Sequence, residues 1–377
     1  MTKKPLLLPL CTSAMIASLH ATPPVIEVVD LRMKNFVEAK EISGAVTLVA
    51  DEEQILHLAA TGLADIANKT PMAADSIFWI ASMTKPITAT AVMMMQEEGK
   101  LSVDDPVSKY LPEFTGDKAG ITIKQCLTHS SGLSDLTQEE VKNITTLAEL
   151  MPPVIAKPLL FPPGSKWQYC QTGINTAARI VEVVSGKMFP DFLQERLFDP
   201  LGMKDTTFYP AAGQLARIAP SYKRSANGGL IEADLSFLNG KPPSSKDRYP
   251  LANGGLFSTA PDYAKFAQMI LRGGESGGKR YLKEESVRQM TSVQSGDLVT
   301  GFTPGNAWGL GWCVVREPQG VSAALSVGSF GHGGKNGTQA WIDPVKNRIY
   351  LLMIQREDMG NSDASDIRRD FQNAAKP

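Results

Sequence analysis

The sequence predicts an α+β fold: an α/β lobe with an antiparallel β-sheet built from N- and C-terminal segments and flanked by helices, plus a mostly helical inserted lobe. Three observations predict it. Strand-like runs stand near the start of the chain and return from Trp308 onward, whereas residues 101 to about 300 carry helical patterns broken by loops. The chain has 377 residues, 43% of them hydrophobic and 20% charged, which suits a folded domain with a large core. Neither an internal repeat nor a low-complexity tract interrupts it.

The elements follow in order. Lys3 and Lys4 precede an apolar stretch from Leu6 to Leu19, and Ala21 is followed by Thr22-Pro23-Pro24. Positive charge, a short apolar run and a small residue before a polar break make up a secretory signal over 1–21. The run is too short to span a membrane, so export to the periplasm or medium without stable membrane insertion is expected. The remaining 22–377 form the expected domain, with the α/β lobe at about 25–100 and 300–377 and the helical lobe at about 101–299.

Residues 45–50 and 54–60 read as a hairpin about Asp51-Glu52-Glu53. Phe78 to Ala81 then lead into Ser82-Met83-Thr84-Lys85-Pro86 and a helix over 88–98 closed by Gly99. Proline is tolerated only in a first helical turn, so Pro86 puts Ser82 and Lys85 at the mouth of this helix. Amphipathic pieces follow at 193–198 and 263–271, with Pro- and Gly-rich loops at 152–164, 226–229, 240–250 and 272–280. Strand signals return at 309–315, 322–328, 337–343 and 348–354, and a last helix is expected over 363–374.

Several function classes fall away. A net charge of -1 provides no basic face for nucleic acid. His20, His57, His129 and His332 are scattered, with no HExxH and no paired Cys spacing, so no metal is expected. Once Cys11 leaves with the signal, Cys126, Cys170 and Cys313 remain, an odd number and no disulfide framework.

Chemistry points to Ser82 and Lys85. Ser-x-x-Lys at a helix start places both side chains on one face, one turn apart. A serine hydroxyl needs a base beside it, and a desolvated lysine can lose its proton near neutral pH. The motif alone is weak. Ser276-Gly277-Gly278-Lys279 also matches it, and Gly274 to Gly278 formally fits GxSxG, but both lie in a glycine-rich turn that starts no helix. Cys170 has no histidine near it in sequence and is set aside as a nucleophile.

The surroundings add specificity. Phe78 to Lys85 is followed by Tyr110-Leu111-Pro112, Leu127-Thr128-His129-Ser130-Ser131-Gly132-Leu133 and Phe161-Pro162-Pro163-Gly164. Tyr169-Cys170-Gln171 and Gly331-His332-Gly333-Gly334 complete the series. Over roughly residues 30 to 355 this resembles the serine β-lactamase and penicillin-binding-protein-like superfamily. The nearest branch is the class C-like group, with its family VIII carboxylesterases and D-aminopeptidases.

The resemblance implies that Ser82 becomes acylated, that Lys85 holds the proton balance and that Tyr169 acts as general base. Acyl transfer through a serine needs no organic cofactor. It makes His332-Gly333-Gly334 the third motif, with the backbone N–H groups of Ser82 and Lys335 forming the oxyanion hole. Gln171, His332, Gly333 and Gly334 would contact a small-molecule ester or amide, while His129 belongs to loop structure.

Two departures bear on substrate. Gln171 stands where the family has Asn, one methylene longer, and the third motif lacks Lys and Thr. Both favour hydrolysis of small carboxylic esters over β-lactam or D-amino-acid amide turnover. A non-catalytic protein that binds cell-wall fragments is the reading from another class. The sequence says nothing of oligomeric state.

Overall fold

The computed structural model describes residues 26–301 and 303–376, so the expected signal segment lies outside the described residues. An eight-stranded antiparallel sheet forms its centre. Its strands are β1 (Gly44–Ala50), β2 (Ile55–Asp65), β3 (Thr70–Pro71), β4 (Asn306–Trp308), β5 (Cys313–Val315), β6 (Phe330–Gly333), β7 (Gln339–Asp343) and β8 (Arg348–Met353). They run in the order β4-β5-β6-β7-β8-β1-β2-β3. The first and the last strand of the sheet in chain order therefore meet in mid-sheet, where β1 pairs with β8 in the register Val46↔Met353 and Leu48↔Leu351.

Both faces of these central strands are covered, and side-chain alternation divides them. Val46, Leu48 and Ala50, with Ile349, Leu351 and Met353, enter the main core. Ala45 and Val49, with Tyr350 and Leu352, enter a second core under helices α1 (Glu27–Glu38) and, at the C-terminus, Asp366–Ala374. The main core extends through helices α2 (Thr84–Glu97), α3 (Gln171–Ser185) and α4 (Ala260–Leu271). The C-terminal helix is α5. The α+β expectation, with a sheet drawn from both ends of the chain, agrees with this architecture.

Five local expectations need correction. The loop expected over 152–164 starts only after Ala156, because Pro152 and Pro153 lie inside a helix at Leu147–Ala156. The apolar run 322–328 is no strand. Gly320–Ser322 is a short 3-10 turn, Ala324 and Leu325 are buried, and the strand that pairs with β7 starts at Phe330. The predicted strand 309–315 is a hairpin end, because the chain turns at Gly309–Trp312 between β4 and β5. Gly311 takes φ +71° there, and a Cβ on it would meet Lys85 O at 3.0 Å. Residues 194–198 form a π turn continuing a helix at Phe189–Leu193. Helix α5 begins at Asp366, where Ser365 Oγ accepts from Arg368 N.

Helix α1 is missing from the element-by-element reading for a plain reason. Only Val29 and Met33 of its twelve residues are buried, which leaves little periodic signal.

Candidate active site

Ser82 sits in a 3-10 turn, Ala81–Met83, that runs directly into α2 at Thr84. Pro86 is thus the third helical residue, within the first turn as expected. Ala81 has φ +45°, a left-handed conformation that costs a non-glycine residue of order 1–3 kcal/mol and is characteristic of functional turns. Tyr263 Oη donates to Met83 O (3.0 Å) and Thr84 Oγ1 to Ala81 O (2.7 Å), so buried side chains hold the turn.

Lys85 is fully buried. Its Nζ lies 3.0 Å from Ser82 Oγ, 2.8 Å from Gln171 Oε1 and 2.7 Å from Asn253 O. An ammonium can donate to all three oxygens. A neutral amine has two N–H groups for Gln171 and Asn253 and turns its lone pair to Ser82. Burial pulls Lys85 down to about 7, against the opposing field of Asp135, Cys170 and Asp363.

Tyr169 and Gln171 straddle the start of α3. Asp135 accepts from Gln171 N (2.8 Å) and Thr172 N (2.9 Å), occupying the helix N-terminus from outside the helix. Cys170, the residue between them, turns inward. Its Sγ donates to Leu133 O or to Asp135 Oδ1, and burial, then Asp135, pushes the thiol well above its ordinary value. That environment opposes a thiolate nucleophile.

Tyr169 leans on His129, with ring centroids 4.4 Å apart, and on Trp308 at 5.6 Å. Lys85 Nζ lies 4.6 Å above its ring. Burial holds the phenol well above its ordinary value, and a hydrogen bond with Ser82 opposes that shift. His129 does more than shape a loop, since its Nδ1 accepts from Cys170 N (3.1 Å) and its ring backs Tyr169.

His332 comes from β6, whose end reaches the same point. Its Nδ1 lies 2.7 Å from Gly333 O and must carry the proton there, which leaves Nε2 to accept from Tyr169 Oη at 3.4 Å. Burial, then Lys85, pulls the imidazole down to about 3, so it is neutral. Gly334 packs tightly against the nucleophile turn, where a Cβ would come 2.7 Å from Ile80 O. Lys335 follows it with an exposed side chain whose Nζ donates to Ser236 Oγ (3.2 Å).

Ser82, Tyr169, Gln171, His332, Gly333, Gly334 and Lys335 line one cleft of about 490 Å³, and the buried Lys85 reaches it through Ser82 Oγ. Further wall residues were not assigned to the site from sequence, Asn253, Trp79 and Asp363 among them. Asn253 donates through Nδ2 to Gln171 Oε1 (2.9 Å), and Trp79 stacks on Phe237 at 4.6 Å. Asp363 fills the space beside Gly333, where a Cβ would collide with its Oδ1. Burial raises the Asp363 carboxyl, opposed first by Arg368. Trp79 lies within the Phe78 to Lys85 run, and Asn253 stands in Asn253-Gly254-Gly255 after apolar Leu251-Ala252, whereas Asp363 carries no local signal.

Comparison with known proteins bears on the family and the fold. The Beta-lactamase family model matches residues 29–375. Protein Rv1367c of Mycobacterium tuberculosis is 32% identical, across 86% of this chain and 88% of that protein. Esterase EstB of Burkholderia gladioli is 28% identical over the same shares. Among solved structures, EstCE1, a hydrolase with promiscuous acyltransferase activity, superposes with a TM-score of 0.81 at 24% identity, covering 93% of this chain and 98% of that one. Simvastatin synthase (LovD) from Aspergillus terreus gives 0.75 at 23% identity, with 94% and 98% covered. These likenesses in structure speak for the fold. The match over nearly the whole described length means that the chain belongs to the Beta-lactamase family.

Proposed function

We propose that this chain is a serine hydrolase that forms an acyl-enzyme on Ser82 and hydrolyses small carboxylic esters. The observation that carries it is the buried Lys85 Nζ, 3.0 Å from Ser82 Oγ and brought to about 7. A buried lysine poised near neutrality beside a hydroxyl is the base that serine lacks.

In this reading neutral Lys85 takes the Ser82 proton as Oγ attacks the substrate carbonyl carbon. The base role therefore falls to Lys85 rather than Tyr169, whose phenol is held protonated. The tetrahedral oxyanion is received by the N–H groups of Ser82 and Lys335, and one such donor is typically worth about 10²–10³ in rate. As the C–O bond to the leaving alcohol breaks, Tyr169 supplies its proton and is reprotonated from Lys85. Water then attacks the acyl carbon, giving a proton to Lys85 and returning Ser82 as the alcohol. No metal or organic cofactor enters the scheme.

Asp363 supports esters over β-lactams. It fills the space beside Gly333, where the family's Lys-Thr-Gly motif would carry Thr, so it leaves no room there for a hydroxyl side chain that helps bind a substrate carboxylate. The penicillin-binding-protein relatives keep the second reading in play: Penicillin-binding protein 4 of Amycolatopsis lactamdurans is 30% identical over 75% of this chain.

The experiment is intact mass after fluorophosphonate treatment of wild type and Ser82→Ala, followed by rates on p-nitrophenyl acetate and nitrocefin. One adduct, lost in the variant, with turnover confined to the ester is the expected result. A folded wild type that takes no adduct and binds muropeptides points to the binding-protein reading instead. Export is proposed on the 1–21 segment, and Met1 on secreted protein is the mass that contradicts it.

A further inference from the structure

The cleft above Ser82 continues past Phe237. A second cavity of about 160 Å³ shares Gln171, Phe237, Leu251 and Asn253 with it. Leu136, Val141 and Tyr249 give this cavity an apolar wall, and Lys142, Lys241 and Arg248 are the charged residues among the described ones that line it. No carboxylate lines it among the described residues.

Arg248 is the unusual member. It is only 4% exposed, with its guanidinium 5.3 Å from the ring of Phe237 and 4.7 Å from that of Tyr209. Nη2 donates to the carbonyls of Phe208 and Pro243, while Nε and Nη1 are buried with no hydrogen-bond partner. The other two cations are already engaged: Lys142 pairs with Glu139, and Lys241 donates to Lys142 O and Asp247 O. A buried guanidinium with unmet N–H groups is costly unless an anion completes it. Its burial, the largest influence on it, draws the group down to about 10.

We propose that this second cavity holds the acyl chain and selects acyl groups that end in a carboxylate, namely half-esters of short aliphatic dicarboxylic acids. The methylenes run along Leu136, Val141 and Leu251, and Arg248, whose Nε and Nη1 are covered in this conformation, turns its guanidinium to the distal carboxylate. The acyl side is assigned because the leaving alcohol must depart before water attacks, whereas the acyl chain stays through both steps. A cavity at the back of the cleft suits the part that stays. The assignment rests on Ser82 being the nucleophile.

The test compares two esters of equal length, mono-p-nitrophenyl adipate and p-nitrophenyl hexanoate, by kcat/KM on wild type and Arg248→Met. The same pair is titrated into Ser82→Ala and Ser82→Ala/Arg248→Met for binding without turnover. The wild type should favour the adipate half-ester on the order of 10–100-fold, the range for a charge-assisted hydrogen bond. Arg248→Met should bring that ratio to about one, and binding should change in parallel. A wild-type ratio at or below one, with equal binding of the two esters, overturns the subsite while leaving Ser82 hydrolysis standing. Turnover of neither ester by folded wild type removes the hydrolase reading. The binding pair then decides the subsite alone, for it if Arg248→Met abolishes a preference for the half-ester and against it if no preference exists. Circular dichroism melts of the Arg248 variants exclude misfolding, and the wild-type ratio needs no variant at all.

Discussion

Lys85 shows how one side chain acquires a chemistry its residue type lacks in water. Buried and bonded to Gln171 Oε1 and Asn253 O, it is brought from 10.5 to about 7 by loss of solvation. If it is the base toward Ser82, kcat/KM for an ester should rise with pH through about 7, since only the neutral amine accepts the proton. A rate flat across that range places the base elsewhere. Lys85→Met should lower kcat/KM by at least about 10²-fold, the scale of a lost general base, while an unchanged rate removes Lys85 from the mechanism. His332 contributes no such limb near neutrality, because it stays neutral down to about 3. Ser82, Lys85 and Tyr169 were readable as a motif, and the structure brings them together. Asp363 and Asn253 were not, because each belongs to a different segment with no spacing that ties it to Ser82.

At the scale of an element, the start of α3 does two jobs through Asp135. It receives the first N–H groups of the helix, which fixes Tyr169 and Gln171 on either side of Cys170. It also places a negative charge near Lys85 and opposes the fall in its pKa. Asp135→Asn keeps an acceptor oxygen and removes the charge. The acid limb of the rate profile should then move below about 7, with a stability loss of about 0.5–1 kcal/mol from the weakened helix-dipole interaction. A limb that moves upward or stays still contradicts the electrostatic link. Strand β6 is the counterexample in legibility. Its residues Phe330 to Gly333 are few and include two glycines, so alternation was weaker there than in the apolar run before it. The run 322–328 drew the strand assignment although its buried residues pack from a turn.

Across the whole molecule, the buried lysine also links stability to pH. Lys85 binds its proton up to 10.5 when unfolded but only up to about 7 when folded. Between those values the unfolded chain holds more protons, so this group makes stability rise with pH across that window. Below about 7 the full penalty of the buried charge is present. Lys85→Met should therefore be more stable than wild type by a few kcal/mol at the low end of the window and lose that advantage at the high end. Denaturant midpoints of both proteins at each end provide the check, and an advantage independent of pH contradicts the linkage. Buried groups such as Cys170 titrate in both proteins and cancel in the difference.

The sequence by itself determined the α+β class, the helix mouth at Ser82 and the set of motifs, because those depend on periodicity, proline and residues a few positions apart. Pro86 pointed to a first helical turn holding Ser82 and Lys85, although Pro152 and Pro153 lie inside a helix elsewhere in the chain. Only the tertiary structure decided which distant residues share their surroundings. The β1–β8 pairing brings β6 and its His332 beside α2, the loop after Pro250 supplies Asn253 O, and the turn before α5 delivers Asp363. Desolvation of Lys85, and the second cavity behind Phe237, arise from those long-range contacts. Burial is a property of what surrounds a residue, and for Lys85 nearly all of that lies far along the chain.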